Sequence, residues 1–407
     1  MKSGWTRKNL GDLCQVIGGG TPSKDKAKYY SGDIPWATVR DMRSEVITET
    51  ECKITREAVK CSATNIIPSG NVVIATRVGL GKVCLLGQDT AINQDLRGIV
   101  PIDLKVLSVR FLFWWLKSIA DSIVAEGTGA TVQGVKLPFV KSLQAPVPPL
   151  NEQQRIVGIL DEAFEGIAIA AANAEKNLHN ARALFESHLQ SVFTQRGKGW
   201  VETTLEKVLA VQPQNGWSPP AANHSASGTP VLTLSSVTGF RFRPDKRKFT
   251  SASTDSRRNY WIKNGDFLIT RSNTPELVGH VAIAAGITEP TIYPDLIMRM
   301  NPAPDRMMTE FLYFQMRSPA LRKEIMGRAQ GANPTMKKIS NGAVKTLPIA
   351  VPPIATQRAI VETMYALTEE TQRLESIYQQ KLAALDELKK SLLHRAFNGE
   401  LIRDNGQ

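Results

Sequence analysis

The sequence predicts an α+β protein: two globular domains in tandem pseudo-repeat, separated by two long helices that pair as an antiparallel coiled coil. Three observations carry this. The 407-residue text is written twice. In each copy a heptad seam follows a Pro-Pro turn. Before each turn, short apolar runs alternate with Gly, Pro and Asn turn signals, which is the pattern of strands.

The repeat sets the frame. Gly4-Trp5 opens GWTRKNLGDLCQV and Gly199-Trp200 opens GWVETTLEKVLAV, an offset of 195 that also pairs Pro35 with Pro230, Thr38 with Thr233 and Gly70 with Gly265. Around the last pair, IIPSGNVVIATR and YWIKNGDFLITR each read as a turn, then a buried strand ending in Thr-Arg. RFLFWWLKS at Arg110 answers EFLYFQMRS at Glu310, both helical in pattern. From Gly127 the offset is 204: Thr131 meets Thr335, Pro148-Pro149 meets Pro352-Pro353, and Gln153 meets Gln357. A unit of this length exceeds any solenoid or propeller repeat, so it is a duplicated domain with its connector. The expected division is a first domain over 1–150, a helical spacer over 151–198, a second domain over 199–354 and a second spacer over 355–402. The tails match closely and the globular parts only at framework positions. A shared task for the tails and divergent surfaces on the domains would give this picture, and so would neutral drift in loops.

The connectors justify the coiled coil. In the first, Leu160, Phe164, Ile167, Ala171, Ala174, Leu178, Ala181, Phe185, His188 and Val192 step by four and three. In the second, Ile360, Met364, Leu367, Thr371, Leu374 and Tyr378 keep that rhythm, and Leu382, Leu385, Leu388 and Leu392 follow. Arg196-Gly197 and Asn398-Gly399 supply stop signals. Each helix should run about 40–45 residues, about 60 Å at 1.5 Å per residue. A helix so long with so narrow a seam needs a partner, and its own duplicate is the obvious one. Leu160, Phe164, Ile167, Leu178, Phe185, Met364, Leu367, Leu374, Tyr378, Leu385 and Leu392 are therefore the expected spacer and partner-docking positions.

Composition narrows the function. The net charge of +12 draws the chain toward polyanions. The longest dense apolar run, Phe111 to Leu116, is far too short for a membrane span. Met1 to Leu10 lacks the apolar core of a secretory leader, so a cytoplasmic protein is expected. Cys14, Cys52, Cys61 and Cys84 are scattered, with no CxxC and no His pair, which reads as reduced thiols and no metal site. There is no phosphate loop, no HExxH and no target-base pocket of an amino-methyltransferase, and Gly18-Gly19-Gly20 precedes no helix signal. No cofactor and no catalytic residue is expected.

What the domains offer is basic residues in small-polar loops. The candidates for DNA contact are Lys24, Lys26, Arg40, Arg43, Arg77 and Lys82 in the first domain. In the second they are Arg241, Arg243, Lys246, Arg247, Arg271 and Asn273. Arginine forks onto guanine and Asn onto adenine, whereas lysine more often takes phosphate. The residues alone leave open an orphan DNA reader and an interaction scaffold that touches no DNA.

GGTPSKDKAKYYSGDIPWATVRDM, PVPPLNEQQRIVGILD and SLLHRAFNGEL resemble the specificity subunit of type I restriction-modification enzymes in three separate places. The resemblance covers the whole chain. It implies two target recognition domains, each reading one half of a bipartite asymmetric site on double-stranded DNA, with conserved helices setting the unread spacer. It also implies two modification subunits that methylate adenine N6 and restriction subunits that use ATP. The chain itself would supply recognition and no chemistry. Gly20, Thr21, Pro22, Gly32, Ile34, Pro35 and Trp36 carry over as framework. The second domain departs from it: QPQNGWSPPAAN stands for the GGTPS region, Val231 for Trp36 and Thr356 for Glu152.

Overall fold

A computed structural model describes residues 4–128, 134–333 and 335–402. Thr131, matched above with Thr335, lies outside them. The chain divides into two compact units, Met1–Glu175 with Gln380–Gln407, and Lys176–Gln379. Each unit holds one globular domain and part of both long helices, Leu150–Thr194 (45 residues) and Ile354–Phe397 (44 residues). The early part of one helix shares a unit with the late part of the other, which is an antiparallel pairing.

Among the described residues the first domain has two larger sheets beside a two-stranded pair. Cys14–Gly18, Leu96–Pro101, Val72–Ala75, Val83–Leu86 and Val46–Ile47 lie side by side in that order. Cys52–Ile54, Ile34–Ala37, Thr90–Ile92 and Asn65–Ile67 form the second sheet. The second domain repeats both orders with Leu209–Asn215, Ile297–Pro302, Phe267–Thr270 and Val281–Ile283, and with Arg247–Thr250, Thr229–Leu232, Thr291–Ile292 and Trp261–Ile262. Even the parallel pair recurs, with Trp36 beside Ala91 in one copy and Val231 beside Ile292 in the other. The differences are additions: Val46–Ile47 in the first copy, and His224–Ser225 with the Ser272–Asn273/Lys337–Lys338 ribbon in the second.

Each domain is tied off just before its long helix. Thr6–Asn9 pairs with Gln144–Val147, and Val201–Thr204 pairs with Pro348–Val351, both antiparallel. Phe111 to Leu116 are all buried in the helix Val109–Ser118, as an all-round apolar helix must be. The Ser108 hydroxyl caps that helix, accepting from the Phe111 N–H at 3.2 Å.

Gln153 then joins the two helices. Its side chain is fully buried, accepts from Ser108 N (2.9 Å) and donates to the carbonyls of Val106 (2.8 Å) and Pro148 (2.9 Å). Gln357 repeats all three bonds, with Met308 N (2.8 Å) and the carbonyls of Arg306 and Pro352 (both 2.9 Å). The Gln-for-Gln match at offset 204 is therefore a joint.

Along the first long helix Leu160, Ile167, Ala174, Ala181 and Phe185 are buried, while Phe164 and Leu178 are half-buried. Phe164 stacks on Trp114 with ring centroids 4.6 Å apart. Leu189 and Phe193 lie off the heptad seam but are buried with the second domain, where Phe193 meets Phe311 at 5.5 Å. On the second helix Met364 is buried, and Leu367, Leu374, Tyr378, Leu385 and Leu392 are half-buried. Leu388 departs from the expected seam and is 46% exposed. It follows Leu382 by two steps of three, which leaves it about 120° short of two full turns and so off that face of the helix. Gly399, at φ +81°, ends the helix in the left-handed region that favours glycine.

No helix among the described residues is long and apolar enough to cross a membrane. All four cysteines are free thiols; burial pushes Cys14 up to about 12 and Cys84 up to about 11.

Candidate nucleic-acid interface

In the first domain the basic loops meet at a cavity of about 730 Å³. Lys24 and Arg40 line it with Thr21, Trp36, Asp41, Glu51, Gln94 and Asp95. Arg43 pairs with the lining Glu51, and Arg77 with the lining Asp95 at 3.6 Å. Lys82 donates to the Met42 carbonyl (3.4 Å), next to Asp41. Lys26 stands apart, with its ammonium 3.2 Å from the Tyr29 hydroxyl and over that ring. Five of the six expected residues thus surround one opening, directly or through a lining neighbour.

The frame of this opening is covalently simple and well fixed. Thr38 caps the turn Val39–Asp41, and Asp41 returns the bond to the Thr38 N–H at 2.7 Å. Thr38 and Asp41 therefore hold Arg40 outward on a rigid turn. The Arg40 guanidinium has no side-chain hydrogen bond or ion pair among the described residues. Gly19 passes so close to the neighbouring strand that a Cβ would stand 2.1 Å from the Asn93 carbonyl oxygen. Trp36 closes the floor, donating to the Gly20 carbonyl (3.2 Å) and the Thr64 hydroxyl (3.3 Å).

The second domain rebuilds the same frame with other side chains. Gly216 takes the place of Gly19, since a Cβ there would stand 1.9 Å from the Tyr293 carbonyl oxygen. Thr233 opens the turn Leu234–Ser236, and its N–H donates to the Ser236 hydroxyl oxygen (3.0 Å), as the Thr38 N–H does to Asp41. Strand register makes Trp36 equivalent to Val231 and Glu51 to Arg247. Leu96, opposite Ala75, corresponds to Ile297, opposite Thr270. Gln94 thus corresponds to Asp295, and Thr21, two residues after Gly19, to Ser218. The hydroxyl of Thr21 donates to Gln94, and the hydroxyl of Ser218 donates to Asp295.

Register also separates the two Thr-Arg endings. Val135 N donates to the Thr76 carbonyl and Ile339 N, 204 residues on, to the Arg271 carbonyl. Arg271 therefore occupies the place of Thr76, one residue short of Arg77's counterpart, and side chains one residue apart leave a strand on opposite faces. Arg77 is half-exposed. Arg271 donates to the Asp295 carbonyl (3.4 Å), while its Nε is buried without a partner.

The remaining second-domain candidates divide by task. Arg241 is exposed on the loop. Arg243 donates to the carbonyls of Ser235 (3.0 Å) and Thr238 (2.6 Å), so it holds that loop's shape. Lys246 pairs with Asp245 (3.3 Å) and Arg247 with Glu289 (2.6 Å). Asn273 donates to the Thr238 hydroxyl (3.3 Å) and lies opposite Lys337 in the short ribbon. Phe240 anchors the loop. It holds φ at +58°, which a bulky residue tolerates only under packing. Its ring stacks on His280 at 4.0 Å, Arg317 and Arg322 flank it, and its carbonyl accepts from the Tyr313 hydroxyl (2.6 Å). Burial, then the charges of Arg322 and Arg317, push His280 down to about 4, so it packs as a neutral ring.

Phe240, Thr21, Gln94, Ser218 and Asp295 were not among the sequence candidates. The strand that begins at Ile297 is offset by 201 from its mate, which neither 195 nor 204 brings into line. Among the described residues no group of three or more His, Cys, Asp or Glu is placed to hold a metal ion.

The comparisons agree with this geometry. The family model described as "Type I restriction modification DNA specificity domain" matches residues 2–178 and again 197–383. The specificity subunit of the type I restriction enzyme EcoR124I/EcoR124II of Escherichia coli is 36% identical over 162 residues, 38% of this chain and 40% of that one. That of MjaIX of Methanocaldococcus jannaschii is 31% identical over 38% of this chain and 37% of its own. The chain thus spans about two fifths of the length of these relatives. Against the EcoKI specificity subunit of Escherichia coli K12 it aligns over 98% of its length and 90% of the relative's, at 23% identity. Two solved structures share the fold at 20% identity. One is a chain of a type I R-M system, with a TM-score of 0.80 over 98% of this chain and 99% of that one. The other is the HsdS subunit from Thermoanaerobacter tengcongensis, at 0.63 over 98% of each. With the family's domain present twice, on a duplicated frame of matching topology, the chain belongs to the type I restriction modification specificity family.

Proposed function

We propose that each domain reads one half of a bipartite, asymmetric site on double-stranded DNA, and that the two long helices fix the unread spacer between the halves. The recognition domains are residues 1–150 and 199–354, and the spacers are 151–198 and 355–402. The observation that carries the reading is the repeated frame: the same turn, close-packed glycine and hydroxyl recur in both domains, but carry Arg40 and Gln94 in one and Ser235 and Asp295 in the other. A duplicated scaffold with unlike groups at matching places suits two different half-sites, roughly one helical turn apart on one face of the duplex. Lys24, Lys26, Arg43, Arg77, Lys82, Arg241, Lys246 and Arg247 supply positive charge around these groups. Arg243, Arg271 and Asn273 act by holding the loops.

Recognition is the chain's whole task in this reading. The chemistry belongs to partners: two modification subunits that methylate adenine N6 and restriction subunits that use ATP, docked on the helices, in the cytoplasm. Exposed apolar residues on the helices, such as Ile169, Leu184 and Ile377, give such partners a surface. The test is a binding titration of the chain, co-purified with its modification partner, on duplexes bearing the site and on scrambled ones. Affinity should favour the site by at least about 10³-fold and fall steeply with salt as phosphate counterions are released. Equal affinity for both duplexes, or none, would overturn the reading.

A further inference from the structure

We propose that residue 94 in the first domain and its pseudo-repeat mate, residue 295 in the second, are base-edge readers, with Gln94 taking an adenine and Asp295 a cytosine in their respective half-sites. The inference rests on the recognition reading above and adds what each domain reads there.

Four observations carry it. Both residues precede the same framework strand, two positions before its first residue, Leu96 or Ile297, and strand register makes them equivalent. Both are held by a hydroxyl from the matching position, Thr21 for Gln94 and Ser218 for Asp295. A protein that preserves the clamp while changing what it clamps has fixed a position and varied a chemistry. Gln94 is exposed and lines the cavity that gathers Lys24 and Arg40, and Asp295 is partly exposed beside Arg271.

The clamp also decides the chemistry. The Thr21 hydroxyl donates to Oε1 of Gln94, which fixes the amide orientation. Oε1 keeps a lone pair for the adenine N6 amino group, and Nε2, one of whose two N–H groups reaches Asp95 (3.4 Å), can donate the other to N7, the bidentate pair a carboxamide makes with adenine. A carboxylate offers acceptors only, and the base whose major-groove edge presents only a donor is cytosine, through N4. Asp295 accepts one hydrogen bond from Ser218 and has further lone pairs for that amino group.

The test uses the full chain in complex with its modification subunits and selects bound duplexes from libraries randomised in each half-site. Wild type should show an adenine in one half and a cytosine in the other whose exchange costs about 10- to 100-fold in binding. Gln94→Glu should lose the adenine at one position of one half. Asp295→Asn should change the cytosine at one position of the other half, and each variant should leave the remaining half and the spacer unaltered. Thr21→Val, which frees the amide without changing it, should relax the same adenine. Unaltered preferences in all three variants would overturn the assignment and leave the recognition reading standing. So would loss of binding to every duplex at an unchanged melting temperature, because a base reader leaves the phosphate contacts in place. A wild type with no selected motif would instead sink the recognition reading itself.

Discussion

Gln153 and Gln357 illustrate what one residue can tell at the residue scale. Each is buried, and each ties the start of a long helix to the segment before the domain's shorter helix through two bonds and to the Pro-Pro turn through a third. Gln357→Leu would strand a buried N–H and two carbonyls at a cost of about 3 kcal/mol, read as a lower denaturation midpoint. An unchanged midpoint would show the joint to be dispensable. The sequence match located this pair because side chain and spacing are both retained. Gln94 and Asp295 were not legible in that way, since their equivalence lies in register and not in residue type. Arg77 and Arg271 erred in the opposite direction: alike as text, they stand one residue apart in the fold. Phe240 was invisible because its role comes from a backbone angle and from His280, Arg317 and Arg322, brought in from distant segments.

The elements were read more easily, because hydrophobic period depends on local text. Both long helices stop within a few residues of where Gly197 and Asn398-Gly399 put them. The seam was legible through Leu160, Ile167, Phe185 and Met364, and failed at Leu388, where steps of three fell short of the 3.6-residue turn. Leu189 and Phe193 escaped because they join the second domain's core cluster, in which a helix-to-helix heptad is only part of the packing. If the helices set the spacer, helix length should be a ruler. Four residues inserted near Ala171 add one turn, about 6 Å, and the methylated motif should keep both halves while its spacer lengthens. A motif with the original spacer would contradict the ruler.

Seen as a whole molecule, the chain is one frame used twice. Sheet orders, the parallel strand pair, the turn at Thr38 and Thr233 and the Gln joint recur, while added strands and unlike side chains at matching positions, such as Arg40 against Ser235 and Gln94 against Asp295, set the copies apart. Duplication followed by divergence gives two recognition domains on one repeated scaffold; under the proposed reading, their linkage would make the second half-site's binding intramolecular. In that reading the surplus of +12 would supply the attraction that is independent of sequence. The most direct measurement is methylation mapping: the chain is co-expressed with its modification subunit, and N6-methyladenine is read across the host genome by single-molecule sequencing. The account predicts one bipartite motif with a fixed unread spacer, absent when this gene is deleted. A continuous motif, or none with both proteins present and folded, would contradict it.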